Sequence, residues 1–119
     1  MMARVLILED EAVIGAHLQM MLERAGHEMM GYHNSCDSAL AALALARPDV
    51  AILDVSLRGN GTSETVAERL VAMGVPFLFL SGRPPVAVPA LAAYADAPWL
   101  SKPTDAQRLI ATISELLGP

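Results

Sequence analysis

The sequence has one cysteine, one lysine and no cluster of basic residues, and these shortages exclude several classes of protein. Cys36 has no second cysteine to pair with, so an internal disulfide is impossible and a metal site built on it is not indicated. We expect Cys36 to be a small buried residue on a helix. Eight basic residues face thirteen acidic ones, giving a net charge of −5. A nucleic-acid partner is not expected, because phosphate backbones are bound by clustered Lys and Arg.

A long apolar segment is also missing, although 54% of the residues are hydrophobic. No stretch approaches the roughly 20 apolar residues that cross a bilayer, and the first residues enter a strand pattern that does not resemble a signal peptide. We therefore expect a cytoplasmic protein with no membrane partner. The length of 119 residues fits a single domain over residues 1–119, with no output domain.

Helix-like segments recur along the chain, each with apolar residues at helical spacing. Four segments show this spacing clearly: Ile14, Leu18, Met21, Leu22 and Ala25; Ala39, Leu40 and Leu43; Val66, Leu70 and Met73; and Ala106, Ile110, Ile113 and Leu117. Gly26, Pro48 and Gly74 are predicted to end the first three helices.

Capping residues predict where two of the helices begin. Asn34 or Ser35 can cap the second helix, and Thr104 with Gln107 forms a capping box for the last one. Three prolines between positions 84 and 89 disfavour a regular helix start, so the fourth helix is predicted to be short or irregular.

Five strand-like segments alternate with the helices, including a weaker edge strand from His27 to Tyr32. The other runs are continuously apolar, which is typical of a sheet covered by helices on both faces. This alternation implies right-handed crossovers and an α/β, doubly wound parallel sheet. The order 2-1-3-4-5 is favoured for five strands in a chain of this size. A turn-rich loop from Ser56 to Thr62 follows the third strand.

Four apolar runs end in residues that phosphoryl transfer onto a carboxylate would need. The residues that follow these runs are Glu9-Asp10-Glu11, Asp54, Ser81 and Lys102-Pro103. Because neighbouring parallel strands end at one edge of the sheet, where open α/β sheets bind ligands, we expect these side chains to gather there.

Acidic residues at this edge predict a magnesium site. Carboxylates repel a phosphoryl group unless a cation lies between them, and Mg²⁺ binds one or two protein carboxylates together with phosphate oxygens. We expect Asp10 and Asp54 to be Mg²⁺ ligands. Glu9 is expected to contact a metal-bound water, and the backbone carbonyl of Ser56 could be a further ligand.

The remaining residues at the strand ends suit the transfer itself. Asp54 would be the nucleophile and would carry an acyl phosphate. The transition state places charge on the equatorial phosphoryl oxygens, so positioning and electrostatics supply most of the catalysis. Lys102 offers a point charge for one such oxygen and Ser81 a hydroxyl donor for another.

These residues, in this order, resemble the receiver domains of two-component response regulators over essentially the whole chain. The resemblance implies a flavodoxin-like (CheY-like) fold, a sensor histidine kinase as phosphoryl donor, a requirement for Mg²⁺, and commonly a cis bond before Pro103. It also implies that phosphorylation shifts a surface near strands four and five, through which a downstream protein is contacted. We expect aspartyl phosphorylation and dephosphorylation to be self-catalysed, without other enzyme activity, in a monomer or weak dimer.

Two features depart from the family pattern. Trp99 stands where the family has Tyr or Phe, three positions before the lysine, and a packing role is favoured over a moving switch. The segment Phe79-Leu80-Ser81-Gly82 partly resembles the Phe-Ala-Thr-Gly motif of an atypical stand-alone receiver subclass, often paired with histidine kinases of the HWE type. Leu80 and Pro84 depart from that motif.

Two other functions are compatible with parts of the pattern. An interaction module could keep the fold and work without phosphorylation, and Mg²⁺ affinity would separate it from a receiver. A phosphohydrolase with an aspartyl nucleophile is disfavoured, because such enzymes usually place a second acid two residues after the nucleophile. Ser56 stands there, so no general acid is evident.

Overall fold

The fold was established from a computed structural model, which describes residues 2–57, 61–82, 93, 94 and 96–118. Its main sheet contains β1 (Arg4–Leu8), β2 (Glu28–His33), β3 (Val50–Asp54), β6 (Phe77–Ser81) and β7 (Trp99–Ser101), and a small hairpin joins β4 (Ser56–Leu57) to β5 (Gly61–Thr62). The helices of the described residues are α1 (Ala12–Arg24), α2 (Cys36–Leu45), α3 (Glu64–Met73) and α4 (Ala106–Leu117).

The main sheet is parallel throughout, in the order β2-β1-β3-β6-β7. Counting only these five strands along the chain gives the order 2-1-3-4-5, so the predicted α/β sheet is confirmed. Leu8 pairs with Leu53, Leu53 with Phe79, and Phe79 with Trp99. This register aligns the carboxyl ends of the four strands that carry the predicted site residues.

Helices cover both faces of the sheet. Successive strand residues point to opposite faces and so belong to two separate core layers. One layer joins Leu6 and Leu53 to α2 and α3, and the other joins Ile7 and Ile52 to α1 and α4. All five residues of β3 are buried, because the sheet is covered on both sides. Each fully buried aliphatic side chain contributes about 1.5–3 kcal/mol. This double core supports the polar residues at the sheet edge.

Most predicted helix ends are confirmed, and one cap is wrong. Gly26 and Gly74 have positive φ angles of 92° and 71° just after α1 and α3, and the Ser35 hydroxyl accepts a hydrogen bond in the first turn of α2. The last helix is capped by Asp105, whose Oδ1 accepts from the Arg108 amide at 2.8 Å, and not by Thr104. Aspartate caps as well as a hydroxyl residue, so the sequence left two adjacent starting points.

The apolar face of α4 also differs from its prediction. Leu109 and Ile113 are fully buried, whereas Ala106 is exposed and Ile110 is half-buried. The helix is rotated toward Leu109 because that larger side chain fills the layer shared with α1 and the sheet. The turn-rich loop after β3 contains the β4–β5 hairpin.

Three further expectations concern Cys36, the fourth helix and membrane-spanning segments. Cys36 opens α2 and is half-buried against the core layer of α2 and α3. The predicted fourth helix falls on a segment that lies mostly outside the described residues. Of the helices in the described part of the chain, none combines the length and apolar composition that a bilayer crossing needs.

The segment between α2 and β3 is tied to the end of α3 by one arginine. The Arg47 guanidinium donates from Nε to the Met73 carbonyl at 3.3 Å and from Nη2 to the Gly74 carbonyl at 3.0 Å. The last carbonyls of a helix have no partner within the helix, so these bonds satisfy acceptors that would otherwise rely on water.

We expect Arg47→Lys to lower the free energy of unfolding by about 1 kcal/mol, because a single ammonium cannot reproduce two guanidinium bonds. Urea unfolding measures the change. Arg69→Lys, at an exposed position of α3, is the matched control and should leave stability unchanged. Equal stability of the two variants would show that the Arg47 contacts contribute nothing.

Candidate functional site

The site lies at the carboxyl edge of the sheet, where backbone hydrogen bonds fix the residues that follow each strand. The Glu9 amide donates to the His33 carbonyl at 2.9 Å, and the Lys102 amide donates to the Ser81 carbonyl at 2.9 Å. The Val55 amide donates to Leu80 at 3.0 Å. These bonds extend the strand pairing by one residue, so the polar side chains begin on a rigid frame.

Three carboxylates meet at this edge. Glu9, Asp10 and Asp54 each offer one oxygen, and these atoms all lie within 4.8 Å of one another. Glu9 is 1% exposed and Asp54 is 4% exposed, whereas Asp10 is half-buried. Ionised carboxylates are strongly disfavoured at such depth unless a cation or hydrogen-bond donors compensate them.

The Lys102 ammonium lies between two of these acids. Its Nζ is 2.8 Å from Glu9 Oε1 and 3.1 Å from Asp54 Oδ1. The bond between Lys102 and Pro103 is cis, as the family resemblance implied. The ammonium thus comes from the residue after β7, and the acids come from the ends of β1 and β3.

Among the described residues, the charged groups of this site include the carboxylates of Glu9, Asp10 and Asp54 and the ammonium of Lys102. Burial, followed by the charge of Glu9, raises the pKa of Asp54 from its ordinary 3.8 to about 7, against the lowering effect of Lys102. Burial lowers the pKa of Lys102, but its hydrogen bonds to Glu9 and Asp54 outweigh burial and raise it overall. Burial and the charge of Glu9 therefore favour the neutral form of Asp54, while the two acids favour the charged form of Lys102.

The acidic cluster fits a magnesium ion. Mg²⁺ takes oxygen ligands, and the cluster offers three carboxylate oxygens within 4.8 Å of one another. Glu9, Asp10 and Asp54 could therefore hold the ion. Ser56 opens β4 two residues after Asp54, and its carbonyl as a ligand stays a prediction.

Glu9 has a contact that the sequence did not reveal. We predicted that it would touch a metal-bound water, and the structure places it in a direct ion pair with Lys102. Its other oxygen accepts from the Glu11 amide at 3.2 Å. Among three consecutive acids, the one that turns inward depends on how the chain leaves β1, and sequence spacing does not determine that turn.

Ser81 and Trp99 lie on the two strands that complete this edge. Ser81 ends β6 and is 5% exposed, one residue beyond the pairing of Leu80 with Leu100. Trp99 is half-buried against Phe79, with ring centroids 5.3 Å apart and a tilt of 48°. This contact agrees with the packing role expected for Trp99. The catalytic role of Ser81 stays a prediction.

Tyr32 is a neighbour of the site that sequence analysis missed. Burial, followed by the charges of Glu9 and Asp10, raises the pKa of its phenol. The two acids therefore act electrostatically on this ring, which packs in the core layer shared with α1. Its position on an edge strand gave no signal of proximity to the acidic cluster.

Comparison with known proteins identifies the family of this chain. Residues 5–114 match the family described as the response regulator receiver domain. The chain is 28% identical to an uncharacterized transcriptional regulatory protein, YbdJ of Bacillus subtilis, over 96% of this chain and 50% of that protein. It is 29% identical to protein PilH of Pseudomonas aeruginosa, over 98% of this chain and 99% of PilH.

A solved structure gives the same result. The signal receiver domain of a modulated diguanylate cyclase from Desulfovibrio desulfuricans superposes with a TM-score of 0.88 at 28% identity, covering 98% of this chain and 94% of that one. The chain spans half or less of the first curated relatives that it matches. The family match, the strand order and the CheY-like fold agree, and the chain belongs to the response regulator receiver domain family.

Proposed function

We propose that this receiver domain accepts a phosphoryl group on Asp54 from a sensor histidine kinase, with Mg²⁺ as cofactor, and signals by changing its contacts with other proteins. The observation that carries the proposal is the cluster of Glu9, Asp10 and Asp54, in which the buried Glu9 and Asp54 contact the Lys102 ammonium. Three carboxylates within 4.8 Å of one another repel each other when ionised, and a divalent cation bound among them would offset that repulsion.

The proposed transfer forms a bond between an Asp54 oxygen and phosphorus while the bond from phosphorus to the donor's imidazole nitrogen breaks. The product is an acyl phosphate on Asp54. Mg²⁺, when bound, supplies positive charge that offsets repulsion between the carboxylates and the phosphoryl group. Lys102 Nζ lies 3.1 Å from Asp54 Oδ1, so the same ammonium can bind a phosphoryl oxygen on Asp54. The Ser81 hydroxyl is proposed to donate to another.

The domain is proposed to act in the cytoplasm as a regulator of other proteins. The net charge of −5 favours protein partners over nucleic acid, and we expect a monomer or weak dimer. The partial likeness of residues 79–82 to the Phe-Ala-Thr-Gly motif makes kinases of the HWE type the first donors to test.

Asp54→Asn should abolish phosphorylation, because an amide oxygen cannot form the acyl phosphate. The protein is incubated with Mg²⁺ and a small phosphodonor, and an acid-stable, base-labile mass increase of one phosphate is measured. Asp37→Asn, an exposed substitution in α2, is the control and should label like the parent. Equal labelling of Asp54→Asn would show that the phosphoacceptor is another residue.

Glu9→Gln and Asp10→Asn should each weaken Mg²⁺ binding by at least about tenfold, because each removes a charge from the acidic cluster. Isothermal titration with Mg²⁺ measures the dissociation constants, again with Asp37→Asn as control. If the parent protein binds no Mg²⁺ at millimolar concentrations, the phosphorylation-independent interaction module becomes the better explanation.

In the presence of a chelator, Asp54→Asn should be more stable than the parent above pH 7. The Asp54 pKa is 3.8 when unfolded and about 7 when folded, so the parent protein loses stability as pH rises through this window. The variant carries no such group. One pKa unit corresponds to about 1.4 kcal/mol, so at pH 8 we expect the free energy of unfolding of Asp54→Asn to exceed that of the parent by at least this amount.

Urea unfolding at pH 4.5, 6 and 8 measures the difference between the two proteins. The raised pKa of Lys102 keeps its stabilising contribution present throughout this range, so it does not mask the effect. A difference that stays constant across the three pH values would contradict the raised pKa of Asp54.

A further inference from the structure

The Tyr32 ring packs so closely against Gly15 that no side chain fits at position 15. A Cβ added to Gly15 would lie 2.6 Å from Tyr32 Cζ and 2.7 Å from Cδ1, distances that real Cβ atoms essentially never show. Gly15 is a helical residue of α1 without positive φ, so space and not backbone conformation explains the glycine. The phenol ring is thus seated directly on the backbone of α1.

An irregularity in β2 turns the tyrosine toward this helix. Val5 pairs with Met29 and Ile7 with Tyr32, so β2 contains one residue more than β1 over this interval, and Gly31 has a φ of 103°. Side chains alternate between sheet faces, and an extra residue reverses the alternation. As a result, Met29 and Tyr32 both pack in the core layer of α1 and α4.

The contact lies one helical turn from the acidic cluster. The Gly15 amide donates to the Glu11 carbonyl at 2.9 Å. This hydrogen bond connects the residue that contacts the Tyr32 ring to the turn formed by Glu9, Asp10 and Glu11. The other end of that turn is held by the bond from the Glu9 amide to His33. The segment from Glu9 to Gly15, which contains Asp10, is therefore joined to β2 at one end and to the Tyr32 contact at the other.

We propose that Tyr32 is a positioning residue for the magnesium site: its ring, seated on Gly15, sets the first turn of α1 and thereby the distance from Asp10 to Asp54. This inference rests on the proposed function of the site. Displacing a ligand side chain weakens metal binding even when the ligand itself is retained.

The test measures Mg²⁺ dissociation constants by isothermal titration for the parent and four variants. Gly15→Ala pushes the ring away and should weaken Mg²⁺ binding about tenfold. Tyr32→Leu removes the ring without a clash and should also weaken it. Tyr32→Phe keeps the ring and should bind like the parent. The double variant Gly15→Ala/Tyr32→Leu should bind Mg²⁺ more tightly than Gly15→Ala, because leucine leaves room for the added methyl.

A purely structural role is distinguished by a control and a second readout. Leu43→Ala opens the opposite core layer, so it should lower the midpoint of urea unfolding and leave Mg²⁺ affinity unchanged. In metal-free protein, the amide NMR signals of Asp10 and Glu11 should shift in Gly15→Ala and stay in place in Leu43→Ala.

Parental affinity in both Gly15→Ala and Tyr32→Leu would overturn the proposal, as would an equal loss in Leu43→Ala. Tight Mg²⁺ binding by the parent with no effect of these variants would refute only the positioning role. Absence of Mg²⁺ binding by the parent would refute this role and the proposed function together.

Discussion

The ion pairs of Lys102 with Glu9 and Asp54 are the interaction on which the site depends. One ammonium, 2.8 Å and 3.1 Å from the two acids, holds together charges that burial would otherwise drive apart or neutralise. Asp10 adds a third carboxylate to the cluster. We propose that a bound Mg²⁺ offsets the repulsion among these acids.

The parallel sheet makes such a concentration of charge possible. Four strands end in register, and the backbone continues their pairing into Glu9, Val55 and Lys102 before the chain turns away. Behind this edge, β3 is buried along its whole length and two core layers cover the sheet. The core supplies stability that the acidic edge reduces, which is a common relation between a scaffold and a functional site. The raised pKa of Asp54 shows this cost at one residue, because burial disfavours its charged form.

Sequence patterns predicted the fold well, and they led us to expect Asp10, Asp54 and Lys102 at one edge of the sheet, where the structure places them. Apolar runs mark the strands, and a polar residue after a buried run has few structural reasons to be there. The side-chain geometry was less accessible. Which acid of Glu9-Asp10-Glu11 contacts Lys102 depends on how the backbone turns after β1. Thr104 and Asp105 can both cap a helix, and the sequence does not show which of these adjacent residues precedes α4. The contact of Tyr32 with Gly15 requires a bulge in β2 that periodicity does not show.

The proposed binding of Mg²⁺ to the acidic cluster can be tested by a measurement on Asp54 itself. Carbon-13 NMR of the side-chain carboxyl, followed as a function of pH with chelator and then with Mg²⁺, reports its pKa directly. We expect a pKa of about 7 without the metal and a clear decrease when Mg²⁺ is added. A carboxyl that titrates near 3.8 in the chelator, or that does not respond to Mg²⁺, would contradict this account of the site.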